Sequence, residues 1–345
     1  MSANRTSGDV TIVDVAREAG VSYATVSRVI NNKGYINPET REKVLRAVTK
    51  LGYVVNQQAR SLAGGRSQVV GLLVRDLGTS YIGEIIHGID EELANASYDL
   101  MLYTTHRRKT RESTYVATLT QGLADGLLLV LPREPGTYIE TLRRRGFPYV
   151  LIDHQGIDEA GPSVGATNRQ GGYDATRYLI ELGHRRIGFI TGSLDLGCSI
   201  DRMAGYHAAL TEFGLPVDPA LIREGDFMQP AGYTGARDLL ALQQRPTAIF
   251  ASNDVSAFGV MEAVRDCGLR IPEDISIVGF DDIPQASHVN PPLTTVRQPL
   301  EQMGRVATRM LLETIADRQR PAARVELPTE LVIRASCRPI ATASL

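Results

Sequence analysis

Residues 11–31, TIVDVAREAGVSYATVSRVIN, decide how the amino-terminal part of this chain reads. Thr11 followed by Asp14 is a capping-box start with Asp in place of the usual Glu. Ile12, Val15, Ala16 and Ala19 then recur at helical spacing. Gly20 ends that helix, because a residue free to take positive φ turns the chain there. Ser22 caps a second helix whose inward positions are Val26, Val29 and Ile30. Tyr23, Ala24, Thr25, Ser27 and Arg28 are left at or beside its outer amino-terminal face. Such a pair is either an ordinary helical hairpin with a solvated face or a helix-turn-helix whose second helix meets base edges.

The following residues favour DNA. Asn37-Pro38-Glu39-Thr40 is a third helix start, with a capping Asn, Pro at the first helical position and an acid in the first turn. Val44, Leu45, Val48 and Leu51 form its expected inward stripe, and Gly52 stops it. Residues 9–55 thus read as a three-helix headpiece behind a disordered tail, 1–8. Residues 56–65, NQQARSLAGG, allow two helical turns before two glycines. A helix this short is hardly stable alone in water, so it is expected to order only on a partner. Residues 1–65 hold nine Lys/Arg against five Asp/Glu, and the remainder 28 against 34. A basic head on an acidic body suits phosphate contact at one end.

The body, 66–345, alternates short apolar runs with amphipathic stretches, as parallel α/β sheets do. Strands are expected at Val69–Val74, Leu100–Thr104, Gly126–Val130, Tyr149–Ile152, Ile187–Ile190, Ala248–Ala251 and Ile275–Gly279. Helices are expected at Ile82–Ala96, Gly171–Leu182, Arg202–Phe213, Tyr233–Leu242 and Ser256–Cys267. Two βα sets would make two lobes around a cleft, with crossings near Ser163–Thr167, Leu293–Gln298 and Val325–Pro328. These crossings divide the body into an N-lobe of about 66–164 and 297–326 and a C-lobe of about 166–293 and 328–340.

No run of eighteen apolar residues occurs and MSANRTSGDV lacks an apolar signal core, so no membrane span and a cytoplasmic location are expected. Cys198, Cys267 and Cys337 show no CxxC spacing and read as reduced thiols. GxSxG, GxGxxG, Walker and HExxH motifs are missing and the six His residues are scattered, so neither an enzyme nor a metal or cofactor site is expected. His184 follows a helix and reads as a packing or helix-end residue.

Residues 9–65 resemble the headpiece of the lactose/galactose repressor (LacI/GalR) family of bacterial transcription regulators, through DVAREAGVSYATVSRVIN, TREKV and QQARSLAGG in order and spacing. The body resembles the family's effector domain, a two-lobed type I periplasmic-binding-protein-like fold, through ELGHRRIGFITG, RMAGYHAAL, PTAIFASND, IPEDISIVGFDDIP and PPLTTVRQP. The resemblance implies that Tyr23 and Ala24 occupy the specificity pair of the reading helix. Arg28 supplies a donor suited to guanine O6 and N7, whereas Ala24 can at most touch a thymine methyl. Thr11, Ser22, Thr25, Ser27, Asn31, Tyr53 and Asn56 match positions that touch phosphates or sugars, contacts that fix register rather than sequence. Ala59 and Leu62 complete the set. Leu62 matches the leucine that wedges into the minor groove at a central CpG step of a pseudo-palindromic operator.

In the body, Asp153, Arg202, Asn253 and Asp281 match the family's polar cleft positions, and Tyr81 and Phe227 its aromatic ones. Asp281 is equally readable as a turn cap and Asn253 as a helix N-cap, while the planar fork of Arg202 suits two ligand oxygens. Val130 stands where some members place a polar ligand contact. The expected protein is a homodimeric repressor of carbohydrate-utilisation genes, released from its operator by a sugar. The alternatives are a regulator held on DNA by a purine or phosphoprotein partner, and a sugar-binding transport protein.

Overall fold

The computed structural model describes residues 10–30, 34–53, 66–106, 108, 111–132, 136–154 and 161–340. The 1–8 tail, the 56–65 hinge segment and the candidate residues Asn31, Asn56, Ala59 and Leu62 lie outside them. The chain divides into two compact units, 1–67 and 68–345.

The first unit contains α1 (Ile12–Ala19), α2 (Tyr23–Ile30) and α3 (Pro38–Leu51). The capping box at α1 is complete: the Asp14 amide donates to Thr11 Oγ1 at 3.4 Å and the Thr11 amide to Asp14 Oδ2 at 3.0 Å. Gly20 and Gly52 close α1 and α3 in the left-handed region, at φ 66° and 62°. Asn37 Oδ1 accepts from the Glu39 amide at 2.9 Å and so caps α3. Val15, Ala16, Val26, Val29, Val44 and Ala47 form the core. The expected α3 stripe is corrected at one position. Leu45 is 49% exposed, and Ala47 takes its place because it lies one turn from Val44 on the inward side.

The second unit has two six-stranded sheets. The first contains β1 (Val69–Val74), β2 (Asp99–Thr104), β3 (Gly126–Val130), β4 (Tyr149–Ile152), β5 (Ser163–Ala166) and β11 (Arg324–Leu327), in the order β11-β5-β4-β3-β1-β2 and parallel throughout. The second contains β6 (Ile187–Ile190), β7 (Ile222–Arg223), β8 (Ala248–Ala251), β9 (Ser276–Asp281), β10 (Thr294–Arg297) and β12 (Glu330–Val332), ordered β12-β10-β9-β8-β6-β7. Only β12 runs antiparallel to its neighbour there. The helices are α4 (Ser80–Asn95), α5 (Glu112–Leu119), α6 (Gly136–Arg144), α7 (Asn168–Glu181), α8 (Gly197–Glu212), α9 (Gln229–Leu240), α10 (Asp254–Asp266) and α11 (Leu300–Ala316).

The three segments read as crossings each carry a strand, β5, β10 or β11. The chain leaves the first sheet after β5, returns after β10 into α11, whose Met303, Ala307 and Leu311 join the first sheet's core, and leaves again after β11. Helix pairs cross at reciprocal glycines. An added Cβ on Gly88 or Gly304 would overlap the backbone of the opposite member of the α4/α11 pair, and Gly172 with Gly205 does the same for α7/α8. No described helix is long and apolar enough to cross a membrane.

Candidate functional sites: a helix face and an interlobe cavity

On α2, Val26 and Val29 turn into the core and Ser22 Oγ caps the helix through the Thr25 amide at 3.2 Å. Ala24 and Arg28, four residues apart, share a row beside Tyr23 and Ser27 on the outer side. Ser22, Tyr23, Ala24 and Arg28 are exposed, while Thr25 and Ser27 are half-buried. Thr11 is occupied as a cap, and Tyr53 packs half-buried against the head's core. These residues form one outer face of α2, with its inner side fixed by two valines.

In the second unit, each sheet has its order reversal between two strands, β1/β3 in the first and β6/β8 in the second. Open parallel sheets bind ligands outside the carboxyl ends of such strands. A cavity sits there, and its walls include all six expected effector residues: Tyr81, Asp153, Arg202, Phe227, Asn253 and Asp281. Arg75 and Asp76 follow β1 and Leu131 follows β3, and they line it as well, with Thr79, Ile82 and Cys198. Val130 itself faces the first sheet's core, so the neutral side chain at this wall is Leu131.

Arg202 is the centre of the arrangement. It lies in the second turn of α8, which begins five residues earlier than its apolar pattern suggests because Gly197, Cys198 and Ser199 carry no clear stripe. Its guanidinium, 2% exposed, stacks 3.8 Å over Phe280 and 5.6 Å from Phe227. Nε donates to Asn168 Oδ1 at 2.8 Å, and Nη1 donates to the Ser252 carbonyl at 2.5 Å and lies 3.5 Å from Asp281 Oδ1. Among the described residues the hydrogen bonds of the fork run from Nε and Nη1, which leaves the Nη2 edge for a ligand.

The other walls are equally constrained. Tyr81 donates to Asp153 Oδ2 at 2.7 Å, and burial beside Asp153 pushes its phenol well above the usual range. Burial pushes the Asp281 carboxyl up to about 7, against the opposing pull of Arg202 and of Gln298 Nε2, which donates at 2.7 Å. Its neighbour Asp282 pairs with Arg297 at 2.7 Å and with Arg334 at 2.6 Å. Asn253 is the helix N-cap considered for it, with Oδ1 capping α10 through the Ser256 amide at 2.9 Å, and it lines the cavity while its Nδ2 donates to the Phe227 carbonyl at 3.2 Å. Leu131, Asp153, Phe227 and Asp281 adopt φ values of 49°, 53°, 69° and 112°. Side chains of this size rarely enter that region, and such strain persists where the surroundings over-determine it, commonly at binding sites. Gly192 contributes by omission, because a Cβ there would overlap the Phe227 ring.

Asn168, Gln298 and Phe280 escaped the sequence reading. Arg75 and Leu131 carried a usable signal, since each directly follows an expected strand. A metal-like cluster among the described residues, His87, Glu91 and Glu301, is exposed on α4 and α11. Arg305 bridges both carboxylates and already supplies their cation. His184 is buried with Nδ1 2.9 Å from Thr247 Oγ1, and burial lowers its pKa to about 4.

Both units match known families. Residues 11–56 match the model of bacterial regulatory proteins of the lacI family, and residues 176–337 match a periplasmic binding protein-like domain. The HTH-type transcriptional repressor PurR of Photobacterium profundum is 35% identical over 94% of this chain and 98% of its own. Among solved structures, the transcriptional regulator CelR in complex with cellobiose is 34% identical with a TM-score of 0.74, covering 95% of this chain and 99% of its own. The Lac repressor dimer bound to operator and the anti-inducer ONPF is 30% identical with a TM-score of 0.84, covering 96% of this chain and 100% of its own. The chain belongs to the lacI family of bacterial regulatory proteins, DNA-binding transcriptional regulators rather than enzymes.

Proposed function

We propose that this regulator represses carbohydrate-utilisation genes in the cytoplasm, binding a pseudo-palindromic operator as a homodimer and leaving it when a sugar fills the interlobe cavity. The observation that carries the sugar reading is Arg202, a buried guanidinium at the cavity wall, 3.8 Å over Phe280 and 5.6 Å from Phe227, whose hydrogen bonds run from Nε and Nη1. Asp153, Asn253 and Asp281 surround it with acceptors and a donor suited to paired hydroxyls, and Phe227 offers an apolar face for a pyranose ring. The cellobiose of the CelR complex and the ONPF of the Lac repressor complex support this class of ligand. At the DNA end, Tyr23, Ala24 and Arg28 read bases, and Leu62 with the rest of the 56–65 segment enters the minor groove. Ligand-driven lobe movement is the switch, so operator and sugar must weaken each other's binding by the same factor.

A second reading has one specific support: Tyr81 and Phe227 line the same cavity and suit a stacked purine. Such a ligand would act as a corepressor. The two are separated by thermal-shift screening of monosaccharides, disaccharides and purine bases, followed by DNA retention with each hit. A sugar that raises Tm and releases DNA upholds the proposal. A purine that raises Tm and strengthens retention replaces it with the second reading.

A further inference from the structure

We infer that Asn168 is the positioning residue of this cavity: it aims the free edge of Arg202 and ties it, across the lobe junction, to Asp153. The inference rests on the reading of the cavity as the effector site. Asn168 opens α7 immediately after the chain has crossed from the first sheet, and it is buried. Its Nδ2 donates to Asp153 Oδ1 at 3.2 Å, and its Oδ1 accepts from Arg202 Nε at 2.8 Å. Beyond Asp153 the bonds continue to Tyr81 at 2.7 Å, and Arg202 continues to Asp281 at 3.5 Å, itself held by Gln298 at 2.7 Å. A single polar chain therefore runs from α4 of the first lobe, through the β5–α7 crossing, to Gln298 at the crossing after β10.

An amide does what position 168 requires. Asn donates and accepts at once, an ionised Asp accepts only, and an apolar residue does neither. Phe280 fixes the plane of the guanidinium at 3.8 Å, and the bonds of Nε to Asn168 and of Nη1 to the Ser252 carbonyl together set its rotation within that plane. Ligand-driven movement of one lobe thus changes the geometry at Asn168 and reaches both carboxylates of the cavity through it.

The test uses the full-length chain with Asn168→Ala and Asn168→Asp. In Asn168→Asp the Arg202 acceptor is kept, but two carboxylates face each other where Asn168 now donates to Asp153. Like charges that close raise one carboxyl pKa, so on acidification a shared proton restores the missing donor. Facing Asp153 from the neighbouring elements are Tyr81 on α4, Cys198 and Arg202 on α8, and Asp281 on β9. Asp201 also senses it, together with Glu326, Arg324 and Arg169. These groups are common to all three proteins.

Asn168→Ala is expected to lower Tm by about 4 °C at both pH 8 and pH 5.5, for the loss of its buried charge-assisted bonds to Asp153 and Arg202. Asn168→Asp should show a similar deficit at pH 8 that shrinks by half or more at pH 5.5. A deficit equal at both pH values overturns the Asn168–Asp153 link without reference to any ligand. On the genomic DNA that the wild type retains, cellobiose and D-ribose serve as releasing probes. Asn168→Ala should hold that DNA normally yet require about tenfold more of the releasing sugar, the equivalent of one weakened hydrogen bond. Release at the wild-type concentration overturns the positioning role. A wild type that neither sugar releases counts against the sugar reading instead, and the pH profile still decides the role of Asn168.

Discussion

The head and the cavity are built by opposite means. In the head, the side-chain bonds that define its helices span two or three residues: Thr11 with Asp14, Ser22 with Thr25, Asn37 with Glu39. In the cavity, the bonds that define the site span 72 residues for Tyr81–Asp153, 34 for Arg202–Asn168 and 50 for Arg202–Ser252. Among the described residues the head buries aliphatic groups, whereas the cavity buries charges in a connected set. The difference teaches where each unit is vulnerable. Caps fail singly and cheaply, while a connected buried network loses a partner for each group removed.

The largest expected break is Arg202→Ala. It strands Asp281 and Asn168 in a buried site, and removing one member of a buried ion pair costs about 3–5 kcal/mol. Differential scanning calorimetry should show this loss in the effector unit, and the variant should retain operator DNA but ignore sugar. Next come two pH slopes of opposite sign. Asp281 is raised to about 7, so its contribution to stability is present below its unfolded value near 4 and is lost as pH rises through 7. His184 is lowered to about 4, so its contribution is present above its unfolded value of 6.5 and is lost as pH falls toward 4. Tm measured from pH 4 to 8 should therefore fall less toward neutral pH in Asp281→Asn and less toward acid in His184→Leu. If both variants keep the wild-type profile, burial is not what governs these groups.

In the head the expected effects are smaller in energy but reach function sooner. Val26→Ala removes buried methyls for about 2 kcal/mol, enough to unfold much of a domain this small. DNA retention should drop while the melting of the second unit stays unchanged. Thr11→Ala removes one cap for about 1 kcal/mol, and circular dichroism of the isolated head should register a modest loss of helix. Equal losses from Thr11→Ala and Arg202→Ala would contradict the contrast between local and connected construction.

The same contrast explains what was legible. Each cap of the head was readable because donor and acceptor lie within one turn, and seven strands were readable because buried parallel strands are short apolar runs. The α3 stripe went wrong at Leu45, where a large apolar residue sits off the inward row and the small Ala47 sits on it. Strands β5, β10 and β11 read as crossings because they are four residues long and contain Ser, Thr, Arg or Glu. In the cavity, the six residues matched to family positions were found, but Asn168 was hidden. Its importance comes from partners at 153 and 202, and nothing within its own helix marks it.

In the proposed switch, emptying and filling one cavity decides whether the other unit holds a particular DNA sequence. Its most direct test is to sequence the genomic fragments retained by purified protein near physiological salt, first without ligand and then with a panel of sugars. Salt must be held constant, since each neutralised phosphate contributes about −0.9 to the slope of log K against log salt. The account predicts a pseudo-palindrome with a central CG, adjacent to sugar-use genes, retained in the first experiment and lost in the second. No enrichment without ligand, or enrichment only when a purine is added, would contradict it.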